Sequence, residues 1–152
     1  MEMVAALEAA DQVAEQLPEF AIGWYELGAT LTAWGRVLGI EQSAVRARAA
    51  LMRALQIDPT LAAPVVPLIE IAMDNGDTAA ARDLYARYVT TGLIGDARDY
   101  IDWRMAHFVN DRAAVALERE ALDTLSNTNL LRIIGMAQVH AVGLDDATHA
   151  VQ

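Results

Sequence analysis

The chain has 152 residues, 55% of them hydrophobic, no cysteine, and a formal net charge of −10. This length allows one domain with a sizeable core. The missing cysteines exclude disulfides, thiol catalysis and cysteine metal sites, and the negative surface disfavours direct binding to nucleic acid or to anionic membranes. All eleven basic residues are arginine, which reads as a composition bias but still supplies bidentate partners for carboxylates.

Met1–Gln16 is amphipathic, with Val4, Leu7, Ala10 (or Asp11), Ala14 and Leu17 near helical spacing. Pro18 and Glu19 open a second helix, since proline is tolerated in a first turn. Phe20, Trp24, Leu27, Leu31 and Trp34 form its apolar stripe, and Gly35 or Gly39 ends it. A third helix, about Glu41–Ile57, carries Val45 (or Ala44), Ala47, Leu51, Ala54 and Leu55. Asp58-Pro59 stops it, because the residue before a proline avoids the helical region.

The pattern then recurs. Pro64–Asn75 presents Val65, Leu68, Ile69 and Ala72, and Asn75-Gly76-Asp77 makes a tight turn with Asp77 as a helix cap. Thr78–Thr90 presents Ala81, Leu84, Tyr85 and Tyr88. After the break at residues 91–96, Ala97–Val109 carries Tyr100, Trp103 (or Arg104), His107 and Phe108. Asn110-Asp111 turns into a helix over Arg112–Leu125, a further helix covers Leu130–Val142, and a short one ends at Gln152. The expected architecture is all-α, with about nine helices joined by short turns that make neighbours antiparallel. Helices alternating at a regular period predict a solenoid, in which stacking buries the face that one hairpin cannot bury alone.

Trp24, Leu27 and Gly28, followed by Ala47, Leu51, Ala54, Leu55, Asp58 and Pro59, resemble the tetratricopeptide repeat (TPR), with Leu31 in the place of its tyrosine. The resemblance implies a right-handed α-α superhelix of antiparallel helix pairs. Its units fall at residues 1–18 (partial), 19–59, 60–93, 94–126 and 127–152 (partial). In this frame Gly28 is the small residue that lets the paired helix approach. Pro18 and Pro59 lie 41 residues apart, seven more than the repeat's roughly 34. The surplus falls between Trp34 and Ser43 and predicts one extra turn on each helix of the hairpin. The second unit keeps Leu68, the Asn75-Gly76-Asp77 turn, Ala81 and Tyr85, with Val65 in place of the tryptophan. The third keeps Trp103 and Ala114, and the fourth keeps Gly135, Gly143 and Ala147.

The family also implies that partners lie along a concave face formed by the first helix of each unit. By position, that face takes Tyr25, Ala29, Thr32 and Ala33, then Val66, Glu70, Met73 and Asp74, then Tyr100 or Ile101 with Arg104 and His107. The lysine and asparagine clamp of the family's chaperone-tail binders is absent. Tyr25, Ala29, Val66 and Glu70 stand in the matching places, so a mixed apolar and polar groove is implied instead.

Catalytic signatures are missing. The chain has no glycine-rich phosphate loop, no Gly-x-Ser-x-Gly and no His-Glu-x-x-His. His107, His140 and His149 read as packed or groove histidines, and Asp145-Asp146 as a turn and cap. Trp24, Trp34 and Trp103 read as core. Arg46, Arg48 and Arg53 read as a solvated helix face, pairing with acidic neighbours. The acidic N-terminal segment does not read as a signal peptide, and no apolar run is long and charge-free enough to span a bilayer. A cytoplasmic setting is favoured, with the periplasm the alternative.

These features predict a non-enzymatic scaffold that binds a protein or peptide, without cofactor or metal. The alternative is a sensory or regulatory module of a larger bacterial protein, such as a transcriptional regulator or a transferase, whose effector domain lies elsewhere. Val4, Leu7, Ile133 and Val151 lie on terminal helices without a polar capping repeat, which predicts a homodimer through those ends.

Overall fold

A computed structural model describes residues 2–111. These form six helices and no strand: α1 (Glu2–Gln16), α2 (Ala21–Trp34), α3 (Ser43–Ile57), α4 (Val65–Asp74), α5 (Thr78–Thr90) and α6 (Asp96–Phe108). The all-α expectation holds for this part. The helices expected beyond Asp111 lie outside the described residues, as do His140, His149, Ile133 and Val151. The chain divides into two compact units, Met1–Gly92 and Leu93–Gln152.

The first unit is built on α2 and α3. α3 buries Ala47, Ala50, Leu51, Ala54 and Leu55, a spacing of three and four that places them in one stripe. α2 answers with Ala21, Gly23, Leu27, Gly28 and Leu31. Gly28 lies against Ala47 and Leu51, and Gly35 against Ser43. Residue numbers rise on one helix as they fall on the other, so the pair is antiparallel. α1 lays Leu7, Ala10 and Ala14 onto the same core, and Leu68 and Ile71 of α4 complete it. Removing side chains such as Leu27, Leu31 and Leu51 from water stabilises the fold by about 1.5–3 kcal/mol each.

Several boundaries fall where local chemistry puts them. α3 ends at Ile57 because Asp58 is extended (φ −129°, ψ 94°) before Pro59. The Asp58 Oδ1 accepts hydrogen bonds from the Thr60 amide at 2.9 Å and the Thr60 hydroxyl at 2.6 Å. Gly76 takes φ +70° in the α4–α5 turn, a conformation open to glycine at little cost. Asp77 then caps α5 by accepting from the Ala80 amide at 3.0 Å. From α5, the Arg87 Nη2 donates to the Pro59 carbonyl, tying the α3–α4 connection to the next hairpin.

Other expectations are corrected. α2 starts at Ala21, with Phe20 as its cap residue and Pro18-Glu19 outside the helix. The seven surplus residues do not lengthen α2 and α3. Residues 35–42 form hydrogen-bonded turns, with the Leu38 amide on the Trp34 carbonyl and the Ile40 amide on the Gly35 carbonyl. Ile40 packs against the core, so the connection is anchored without being helical. Trp34, at the last turn of α2, is 44% exposed, whereas Trp103 is 1% exposed and Trp24 is half-buried. Val4, Leu17, Phe20 and Val45 are exposed although each continues an apolar stripe, and Leu7, expected at an uncovered end, is buried. A helix face has room for about three or four inward positions per two turns, and residues at a helix end overshoot their partner.

In the second unit the described helix is α6. Tyr100 and Ile101 are fully buried, and Trp103 and Arg104 almost so. The Trp103 ring meets His107 edge-on, with centroids 5.0 Å apart. Arg98 Nε lies 2.6 Å from both carboxylate oxygens of Asp102, one turn on.

Candidate interaction surface

The side chains expected on a concave face occupy three kinds of environment. Tyr25, Ala29 and Thr32 follow one another at four and three residues on α2 and are half-buried. The Tyr25 ring packs against the core, and burial, followed by the charge of Glu26, holds its hydroxyl above the usual pKa. The Thr32 hydroxyl donates back to the Gly28 carbonyl at 2.8 Å, so its hydrogen is engaged within the helix.

Glu70, Met73 and Arg104 differ from the expectation of an open groove: all three are buried, Arg104 to 2% exposure. The reason lies in their helices. α4 buries six consecutive residues, Leu68–Met73, and α6 buries Trp103–Ala106 in an unbroken run. At about 100° per residue, four consecutive positions cover most of a helix circumference. No register on such a segment leaves a broad open stripe. Asp74 is exposed at the end of α4, Val66 and His107 are intermediate, and Ala33 is exposed.

The open features of the first unit lie elsewhere, on either side of α3. One trough, of about 410 Å³, has Trp24, Leu27 and Leu31 of α2 as its floor. Asp11 of α1 stands on one wall, and Arg46, Ala49, Ala50 and Arg53 of α3 on the other. A second trough, also about 410 Å³, has Leu68, Ile71 and Ala72 of α4 as its floor. Its walls are Arg48 and Met52 of α3 and, opposite, Asp77, Asp83 and Leu84 with the rest of the α5 lining. Each trough is lined by three successive helices, the middle one at the bottom.

α3 separates these troughs by geometry legible in its sequence. Arg46 and Arg53 are seven residues apart and lie within about 20° of each other around the axis, whereas Arg48 lies about 200° from Arg46. Met52 follows Arg48 by four residues and falls on its side. α3 also contains no acidic residue, in a chain of net charge −10. It is a basic helix on an acidic protein. Reading its arginines as one solvated face missed that they point two ways, although all three are on accessible surface and the pairing with acidic neighbours holds for two of them. Arg46 meets Asp11 at 3.4 Å and Arg53 meets Glu19 at 2.8 Å.

Among the described residues no three histidine or acidic side chains come together to hold a metal ion, and no helix is long and apolar enough to cross a membrane. No protein-family model, curated protein or solved structure matches the chain.

Proposed function

We propose that the chain is a protein-interaction module made of stacked helix hairpins of the tetratricopeptide type, continuing as a right-handed solenoid. The observation that carries the functional reading is the pair of troughs flanking α3, each with an apolar floor and charged walls. Apolar area framed by charge is the composition of a protein-docking surface, with anchors in the middle and a polar rim. The fold reading is supported by Gly28, which sits under Leu51 where the repeat motif needs a small residue, and by the Asp58-Pro59 stop that closes the hairpin.

Site-specific photocrosslinking tests this. A benzophenone side chain is placed at Met52 in the second trough, at Tyr25 on the α2 face, and at Arg82, an exposed α5 position that lines neither trough. In extract of the source organism, Met52 or Tyr25 should give a discrete protein adduct and Arg82 none. Adducts at all three positions alike, or at none, would refute the module. An adduct at Tyr25 alone keeps the module and moves its site to the α2 face.

A further inference from the structure

The two troughs carry the same charge pattern but use it differently. In each, an arginine wall on α3 faces an acidic wall on a neighbouring helix. In the first trough the walls are joined: Arg46 reaches Asp11, and Arg53 reaches Glu19 just beyond. In the second, Arg48 and Asp83 both line the cavity, yet among the described residues neither has an ion-pair partner. Asp77 is engaged as the α5 cap and Arg87 with the Pro59 carbonyl. Both keep their charge with these neutral partners, so the α5 side carries two carboxylates and one guanidinium, net negative, opposite the Arg48 cation and across a floor of Leu68, Ile71 and Ala72.

We infer that this second trough is the docking site for an amphipathic helix of a partner protein, with carboxylates along the flank that meets α3 and amines or guanidines along the flank that meets α5. The inference rests on the module reading above and names the chemistry of its partner. α4 and its cap line the trough from Leu68 to Asn75, about 10 Å, a length that seats apolar anchors at positions i, i+3 and i+7 of a docked helix. Met52, 42% exposed on the α3 wall, adds an adaptable apolar contact at the rim. Opposed walls also fix direction. An apolar stripe alone lets a helix lie either way along the trough. One acidic and one basic flank permit only the direction that matches both walls, since the reverse sets like charge against like.

The test uses the full chain labelled with 15N and a synthetic helix of about 14 residues. The peptide carries a leucine stripe, glutamates on one flank, lysines on the other, and a nitroxide at one end. Amide shifts should concentrate at Met52, Leu68, Ala72 and Leu84, with the nitroxide broadening one end of the trough. Arg48→Glu and Asp83→Lys should each weaken binding at least about fivefold. The double exchange should restore it, with the broadened end switched, a result that misfolding cannot produce.

Equal affinity for all variants overturns the charge reading. Shifts centred on Asp11 and Trp24, or no shifts at saturating peptide, overturn the site. If the same amides shift on concentrating the protein without peptide, the occupant is a second copy and the partner assignment fails. Each of these failures leaves the crosslinking result at Tyr25 standing, so loss of the trough and loss of the module are told apart.

Discussion

Leu51 lies directly over Gly28: a Cβ on Gly28 would sit 2.5 Å from the Leu51 Cγ and 3.1 Å from the Ala47 carbonyl oxygen. Leu51 is fully buried, so it has no free space to swing into. Gly28→Leu should therefore overpack the α2–α3 contact and cost about 1–3 kcal/mol. Gly28→Ala should cost less, because alanine regains about 0.8–1.0 kcal/mol of helix propensity. Thermal melts of the two variants check the order. An unchanged midpoint for Gly28→Leu would mean the helices are not in this register.

The Asp58 carboxylate accepts from the Thr60 hydroxyl and amide, and these bonds hold its pKa below the usual carboxylate range. The folded pKa is depressed, so the interaction stabilises the fold above the unfolded pKa and is lost as pH falls through the folded value. Thr60→Val keeps the amide bond and removes the hydroxyl bond, the largest cause of the depression. The Asp58 pKa should rise in the variant, followed by carboxyl 13C shifts. The stability gap between the two proteins should be present at neutral pH and close in acid. A gap that widens as pH falls would reverse the sign and refute the assignment.

Arg53 and Glu19 meet at 2.8 Å with side chains 39% and 79% exposed. Water screens such a pair, and its coupling should be no more than about 1 kcal/mol. A double-mutant cycle with Arg53→Ala and Glu19→Ala measures it, and added salt should shrink it further. Coupling well above that value, insensitive to salt, would show the pair to be shielded from solvent.

The tryptophans offer an optical check on the fold. Trp34 should account for most of the acrylamide-quenchable emission, and Trp103 for almost none. Trp34→Phe should therefore leave a blue-shifted, poorly quenched spectrum, while Trp103→Phe should leave quenching nearly intact. The reverse pattern would place the last turn of α2 in the core.

Where one local rule decided an element, the sequence was sufficient. α5 begins and ends at Thr78 and Thr90 as its cap and periodicity indicate, and α3 stops at the Asp58-Pro59 pair. The segment 35–42 was not legible, because seven extra residues can extend two helices or form turns at similar local cost. The outcome depended on Gly39, at φ +69°, and on the anchoring of Ile40. The covering of α4 was half legible. Its run of Val65, Val66, Leu68, Ile69, Ile71 and Met73 is apolar on every side, a pattern of complete burial, but the family frame drew attention to one stripe and assigned Glu70 and Met73 to an open face. The two-sided placing of the α3 arginines was written in their spacing. That troughs form beside them depended on α1, α4 and α5, far away in sequence.

The burial of six consecutive residues of α4 has a consequence in time. The amides of Leu68–Met73 belong to buried residues, and the neighbours of α4 in the first unit are α2, α3 and α5. Water reaches those amides only when these helices come away, so deuterium should enter α4 last, at the rate of the unit's largest opening. The turns at residues 35–39, mostly accessible, should exchange first. A helix of ten residues, too short to hold its shape in isolation, would thus be the slowest element of the first unit to exchange.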